Sequence, residues 1–408
     1  LKKDAMPVYL IHFVTEVCNL RCSHCFDYFY EEGPKRKPHE LTLDEIDKMT
    51  KSLGELLFLL PTGGEPFLRA DLPKIIELYY KNCHLRNVGM PTNGSLTEKV
   101  VAGVEEILAR CPDLNFGLDI SIDGIGKDHD TIRCMNGLFE KCMETYRRLK
   151  EVEKRHPNFK VCVEVTIQKY NQHKLDEIYD YFTRELKTYN ILVRVVRGKP
   201  RDPAEADIDI DLVEQFTSKL ERGIKEGAYH GHAVYPMSDF ITARELVGRR
   251  IQIDLLKSNS YQIPCYAANL MGVIKSNGDV MACELRDDKL GNVREYDYDF
   301  RKLWLSSKAK AISKDIVENK CFCTHECFLS TNILFNPKIL PRLTEEVAGL
   351  RLARLRGPQP SGDLQEAGPS IDHPAPAPAV VPPLPILQPG DPLVAEPAGD
   401  PHATESIA

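Results

Sequence analysis

Over the first 200 residues, short apolar runs alternate with longer stretches in which apolar residues recur every three or four positions. The short runs predict strands over 8–17, 56–62, 87–91, 115–123, 160–168 and 191–197. The longer stretches predict helices near 42–53, 71–81, 97–110, 137–155 and 174–187. Strand–helix alternation of this kind builds a parallel β/α architecture. Six strands are too few to close an eight-stranded barrel, which leaves a partial barrel or a doubly wound open sheet. Two strands favour the barrel. Phe116, Leu118, Ile120 and Ile122 alternate with Gly117, Asp119, Ser121 and Asp123; Val161, Val163, Val165 and Ile167 alternate with Cys162, Glu164, Thr166 and Gln168. Successive side chains point to opposite faces. A doubly wound sheet is apolar on both faces, whereas one apolar and one polar face suits a barrel whose interior holds a polar ligand.

The pattern then changes. Residues 201–260 read as a connection with helices around 211–226 and 239–256, opened by an acidic stretch to Asp211 that reads as a solvated linker. Residues 261–335 are short-elemented and cysteine-rich, with a hairpin signal at Ser276-Asn277-Gly278-Asp279. From about 341 to 408 there are no aromatics, and 13 of the 28 prolines fall in 358–408, so this part reads as a disordered Pro/Ala-rich tail. The expected organisation is a barrel over 1–200, a helical connection over 201–260, a cysteine-rich domain over 261–335 and a tail over 341–408. The balance of 53 basic against 60 acidic residues, net −7, speaks against a nucleic-acid partner. The longest purely apolar stretch, Leu56 to Leu60, is far below the roughly 18 residues of a membrane span. With no export signal apparent, the 13 cysteines read as thiols of a cytoplasmic protein rather than cystines.

Three of them form Cys18-x3-Cys22-x2-Cys25, directly after the first strand. Three thiolates on one loop can hold three irons of a [4Fe–4S] cube and leave the fourth open to a chelating ligand. A zinc site with His24 as a further donor is the alternative on spacing alone. The following strands end in Thr62-Gly63-Gly64-Glu65-Pro66, Thr92-Asn93-Gly94 and Ser121-Ile122-Asp123-Gly124, the last followed by His129-Asp130-x-Ile132-Arg133. Small and polar groups thus collect at one end of consecutive strands. A glycine pair allows close backbone approach to a ligand, and Glu65 could meet an ammonium group.

This set, in this order over roughly residues 8–200, resembles the radical S-adenosylmethionine (radical SAM) superfamily. The resemblance implies an α/β fold, a partial (β/α)6 TIM-type barrel. It implies a SAM-binding [4Fe–4S] cluster on Cys18, Cys22 and Cys25, with His24 at the family's aromatic position. Gly63, Gly64 and Glu65 would meet the amino group of S-adenosylmethionine. Asn93, Ser121 and Arg133 would contact its carboxylate or ribose, with Asp123 and Thr166 as weaker candidates. Thr62 stands where the family often has Ser. The implied reaction is reductive cleavage of S-adenosylmethionine to a 5′-deoxyadenosyl radical, which abstracts hydrogen from a substrate.

Cys265, Cys283, Cys321, Cys323 and Cys327 form a second set in a segment too poor in apolar residues to fold without a metal or cross-links. A structural zinc would serve. The region resembles the SPASM and Twitch auxiliary-cluster domains of radical SAM enzymes. Five cysteines are too few for two full cubes, so the resemblance implies one auxiliary iron–sulfur cluster of the Twitch type. Cys265 and Cys283 are its firm ligands, Cys323 and Cys327 are favoured to complete it, and Cys321 is spare. Cys83, Cys111, Cys134, Cys142 and Cys162 read as packing thiols, with Cys162 and Glu164 facing the presumed lumen. The expected partners are a small-molecule or peptide substrate and a one-electron reductant such as flavodoxin or ferredoxin, in a net oxidation or coupling. Because the first strand begins near Val8, no N-terminal peptide-recognition domain is expected, which favours a small molecule or a separately delivered peptide. The competing reading is a non-catalytic iron–sulfur or zinc scaffold with a partner-binding tail.

Overall fold

The computed structural model describes residues 4–26, 39–188, 190–225 and 238–356, all within one structural unit. The six expected strands are present as β1 (Tyr9–Thr15), β2 (Phe58–Gly63), β3 (Asn87–Thr92), β4 (Asn115–Ser121), β5 (Phe159–Ile167) and β6 (Ile191–Val195). They pair in parallel in chain order. Between them run α1 (Leu43–Leu53), α2 (Leu72–Asn82), α3 (Thr97–Arg110), α4 (Lys127–Ile132), α5 (Leu138–Arg155) and α6 (Leu175–Asp180). The helix expected over 174–187 is α6 continued by a wider π-type turn, Tyr181–Glu185.

Local chemistry accounts for these elements. Thr42 opens α1: its hydroxyl accepts from the Glu45 backbone N–H (3.2 Å), and the Glu45 carboxylate accepts from the Thr42 N–H (2.7 Å). This reciprocal cap satisfies two otherwise orphan donors. Ile46, Met49 and Leu53, at helical spacing, are fully buried. Phe116, Leu118, Ile120, Val161, Val163, Val165 and Ile167 are fully buried as well. Their opposite face carries Asp119, Ser121, Asp123 and Cys162, also buried but polar. The polar interior expected of a partial barrel is therefore present.

Beyond β6 come α7 (Ile210–Lys225) and α8 (Ser238–Ser258), then β7 (Met271–Ile274), β8 (Asp279–Met281) and β9 (Lys289–Asn292). After these follow α9 (Phe300–Trp304), α10 (Ser307–Glu318), α11 (Glu326–Leu334) and α12 (Leu340–Arg356). The cysteine-rich segment does not stand apart from the barrel. β7 pairs in parallel with β1, from Tyr9↔Met271 to His12↔Ile274, and β8 and β9 add antiparallel strands beyond it. The nine strands form one sheet in the order β6-β5-β4-β3-β2-β1-β7-β8-β9. Gly278 supplies the turn between β7 and β8 at φ +89°, a left-handed conformation that favours glycine.

One boundary needs correction. Residues 341–356, expected as tail, belong to α12, whose Leu343 and Leu350 are buried. Glu346 pairs with Arg250 of α8 at 2.7 Å, and Arg351 with Asp239 at 3.1 Å. Apolar residues at helical spacing and these ion pairs dock a helix that composition alone disguised. The remainder of the expected tail, 357–408, lies outside the described residues.

Candidate functional site

The Cys18–Cys25 loop is held from several sides. At its start, Thr15 donates to the buried Glu40 carboxylate (2.7 Å), and Val17 N–H donates to Thr15 Oγ1 (3.1 Å). Arg69, buried, lies 3.6 Å from Glu40 and donates to the carbonyls of Val14 and Leu41, both at 2.7 Å. In the middle, Asn19 donates to Ser95 (2.8 Å) and accepts from Asn93 (2.9 Å), tying the loop to the end of β3. At its end, Ser23 donates to the Ile132 carbonyl (3.1 Å) and to Glu205, while Arg201 N–H donates to the Cys25 carbonyl (2.9 Å).

The glycine pair has a reason the sequence did not disclose. Gly64 N–H donates to Thr15 O (3.0 Å) and Glu65 N–H to Val17 O (2.8 Å). A Cβ on Gly63 would stand 2.0 Å from Thr15 O, and one on Gly64 2.1 Å from Val17 O and 2.8 Å from Cys18 N. The close approach that these glycines permit includes the backbone of the cysteine loop itself. Glu65 is buried and accepts from Phe67 N–H (3.3 Å), Thr92 Oγ1 (2.9 Å) and Asn93 N–H (2.8 Å). Burial pushes its carboxyl up to about 7 against the pull of these donors.

Asp123, fully buried, organises the end of β4. Its carboxylate accepts from Arg133 Nε (2.7 Å) and Thr166 N–H (2.8 Å), and His24 Nε2 lies 3.7 Å away. Burial acts to raise its carboxyl, but Arg133, His24 and His129 outweigh it and hold the group below the usual range. Arg133 Nη1 reaches to 4.0 Å from Cys22 Sγ. Burial drives His24 down to about 4, a neutral ring at pH 7, and its Nδ1 is buried without a partner. Ser121 is buried at the end of the same strand. Cys142 donates to the Asn93 carbonyl at 3.2 Å from the core and plays the packing part expected of it.

Burial pushes Cys18 and Cys22 up to about 12, with the charge of Cys25 adding to the rise and Arg133 opposing it. In the second set, Cys265, Cys283 and Cys323 are likewise raised first by burial, then by one another's charge and that of Cys321. Cys327 is not among the thiols that act most strongly on these three. Cys265, Cys283, Cys321 and Cys323 thus lie within one another's electrostatic reach. Cys327 lies in the first turn of α11 beside His325, Arg194 and Arg197, whose charges outweigh burial and leave it below its ordinary value. The His325 ring pairs through Nε2 with Glu284.

A shared hydrogen-bond pattern runs through both sets. Leu20 N–H donates to Cys18 Sγ (3.4 Å) and Leu285 N–H to Cys283 Sγ (3.3 Å). Ala267 and His325 do the same to Cys265 and Cys323. In each case the donor lies two residues after the cysteine. Cys22 and Cys321 instead face the guanidinium groups of Arg133 and Arg286. Hydrogen bonds to sulfur are among the levers that tune iron–sulfur clusters. Among the described residues, no three His, Cys, Asp or Glu side chains converge on one ion-sized point.

Residues 13–182 match the model of the Radical SAM superfamily. The matched segment holds both the cysteine loop and the strand ends described above. It is 34% identical over 139 residues to GTP 3′,8-cyclase of Pasteurella multocida (strain Pm70), a match that spans 32% of this chain and 41% of the cyclase. It is 26% identical over 333 residues to Fe-coproporphyrin III synthase of Methanosarcina barkeri (strain Fusaro / DSM 804), covering 74% of each. In fold it is similar to anSMEcpe with bound AdoMet, at TM-score 0.56 and 16% identity over 86% of this chain and 96% of that one. It is also similar to Streptococcus suis SuiB bound to S-adenosylmethionine, at 0.52 and 17% over 75% and 67%. Radical SAM enzymes use a [4Fe–4S] cluster and S-adenosylmethionine. Among the described residues no helix is long and apolar enough to cross a membrane.

The two cysteine sets are linked by a short bridge after β6. The Arg197 guanidinium lies over the Phe26 ring (5.0 Å to its centre), next to Cys25. It also pairs with Glu326 (3.2 Å) and Glu284 (3.5 Å), the latter next to Cys283. Sequence reasoning missed this residue and Arg194, which pairs with Glu164 at 3.1 Å. Arginine within and just after an otherwise apolar strand was the signal that could have found them.

Proposed function

We propose that the chain is a radical SAM oxidoreductase with one auxiliary iron–sulfur cluster, acting on a substrate held inside the barrel. Cys18, Cys22 and Cys25 would hold the SAM-binding [4Fe–4S] cluster, and Cys265, Cys283, Cys321 and Cys323 the auxiliary one. The observation that carries this reading is the repeated N–H···S arrangement two residues after Cys18, Cys265, Cys283 and Cys323. When bound, the cluster and S-adenosylmethionine supply reductive C–S cleavage to a 5′-deoxyadenosyl radical that abstracts hydrogen from the substrate.

The chain's own residues do the rest. Cys18 and Cys22, neutral as free thiols, release their protons on metallation. Arg133, fixed by Asp123, places a positive charge against Cys22 and offsets part of the thiolate charge. Glu65, buried and raised, stands ready to ionise against the amino group of S-adenosylmethionine, and the free Nδ1 of His24 offers it a further polar contact. Asn93 and Ser121 flank the same strand ends. A cyclase and a porphyrin-modifying synthase among the relatives support an oxidative or coupling outcome. Native anSMEcpe, similar in fold, binds AdoMet together with the Cp18Cys peptide, which keeps peptides within the substrate range. A flavodoxin or ferredoxin would supply the electron. The test is anaerobic reconstitution followed by dithionite and S-adenosylmethionine. Release of 5′-deoxyadenosine is expected, with its loss in Cys22→Ala; no release from protein carrying both clusters would sink the proposal.

A further inference from the structure

The segment that leaves β6, residues 195–205, touches both cysteine sets. Its start is held by the second set. Val195 N–H donates to Glu326 Oε1 (3.2 Å). Arg197 spans Glu326 (3.2 Å) and Glu284 (3.5 Å). Glu284 stands between Cys283 and Leu285, whose N–H donates to Cys283 Sγ (3.3 Å). The same carboxylate pairs with His325, two residues after Cys323.

The end of the segment holds the first set. Arg201 N–H donates to Cys25 O and Asp202 N–H to Ser23 O, both at 2.9 Å. Ser23 Oγ donates to Glu205, which is fully buried. Asp202 caps the short turn Pro203–Ala206 by accepting from Ala204 N–H (3.0 Å), which fixes the position of Glu205. Between the two ends, the Arg197 guanidinium lies over the Phe26 ring (5.0 Å to its centre). Gly198 faces both loops: a Cβ there would stand 3.2 Å from Phe26 Cβ and 3.2 Å from Leu285 Cδ2. The residue after Cys25 and the second residue after Cys283 therefore close on the same stretch of backbone.

We propose that this strap, through Arg197, makes retention of the first cluster depend on the second. Arg197 is a positioning residue and ligates nothing itself. The inference deepens the reading above and rests on both cysteine sets holding clusters. Ligation of the auxiliary cluster fixes Cys283 and Cys323, and with them Glu284, Leu285, His325 and Glu326. These groups present a fixed seat to Arg197 and Gly198. The strap then presents its two N–H donors and Glu205 to the Ser23–Cys25 end of the first loop. Ordering that loop costs conformational entropy, and a partner already in place lowers the cost. Packed side chains, hydrogen bonds and ion pairs in one contiguous chain are the physical means by which two sites are coupled.

The test follows loss of the first cluster from the reconstituted full chain on anaerobic exposure to a ferrous chelator. The readout is the part of the reduced protein's electron paramagnetic resonance signal that shifts when S-adenosylmethionine is added. Cys321→Ser, which removes an auxiliary ligand outside the strap, should speed the loss on the order of tenfold. Arg197→Met should speed it to a similar degree with the auxiliary cluster in place. The double variant should be no faster than Arg197→Met alone, whereas a merely structural arginine would give effects that multiply. Should Arg197→Met not fold, Phe26→Leu, which leaves the ion pairs of Arg197 intact, should cut the Cys321→Ser effect to about threefold or less. Should Cys321→Ser not fold, Cys265→Ser empties the same site. First-cluster loss unchanged when the auxiliary site is emptied, multiplying effects in the double variant, or an undiminished effect in Phe26→Leu would each overturn the proposal. Wild-type protein that takes up a single cluster or none overturns both this inference and the reading it rests on. Two clusters released independently overturn the coupling alone.

Discussion

Asp123→Asn tests whether the buried ion pair at the end of β4 is a structural keystone. The side chain is fully buried and its partner Arg133 is 6% exposed. The amide keeps the shape but removes the charge opposite the Arg133 guanidinium. Stranding one member of a buried pair costs about 3–5 kcal/mol. The carboxylate accepts from two donors, Arg133 Nε and Thr166 N–H, and an amide can accept from only one of them through its oxygen. The other donor then faces an NH2 group, at a further cost of about 1–3 kcal/mol. Against a total stability of about 5–15 kcal/mol, the variant should be severely destabilised. The cluster-free protein is the right sample, because metal binding would mask the loss. Urea unfolding at pH 7, followed by far-UV circular dichroism, gives the difference. Asp123→Asn with Arg133→Met should cost less than the sum of the single changes, since the double variant strands no charge. The pH dependence has a definite sign. The folded carboxyl lies below its ordinary value, so its contribution is present above the unfolded pKa of about 3.9 and is lost as pH falls through that region. The gap between wild type and variant should narrow on acidification. A loss under about 1 kcal/mol at pH 7, or strictly additive single changes, would refute the reasoning.

Other outcomes follow from the same geometry. Gly64→Ala would drive a Cβ into the backbone of Val17 and Cys18; it should cost about 1–3 kcal/mol and lower iron content at the first site, and iron retention equal to wild type would count against it. Cys321→Ser should lose the auxiliary cluster, whereas Cys327→Ser should keep it; iron and sulfide assays on both variants decide, and the reverse result restores Cys327 as a ligand. Burial raises Asp119 to about 8, ahead of the repulsion from Glu164. Its contribution to stability is therefore full below the unfolded value of about 3.9 and drains as pH rises towards 8. Asp119→Asn should gain on the wild type between pH 5 and pH 8 in urea midpoint, and an equal difference at both would contradict this.

The strands of the barrel were readable because a two-residue alternation is a local property, and no long-range contact was needed to see it. Asp119 and Ser121 opposite Leu118 and Ile120 already marked the interior. The partition of the second cysteine set was not readable. Spacing says nothing about where a helix begins, and it is the start of α11 at Glu326 that sets Cys327 beside His325, Arg194 and Arg197. α12 was missed because its few leucines find their meaning only against α8. The approach that Gly63 and Gly64 permit to the cysteine loop is a contact across about 45 residues of chain, which local pattern does not show.

The parallel pairing of β7 with β1 bears on how the chain can be cut. A cysteine-rich segment joined by a flexible linker could be lost, exchanged or cut away without harm to its neighbour. Here, removal of residues beyond 260 would strip β1 of one partner and bare an unpaired strand edge rich in Tyr9, Leu10 and Ile11, a template for self-association. Anyone seeking a minimal fragment, or grafting this second half onto another barrel, would have to carry the first strand along with it.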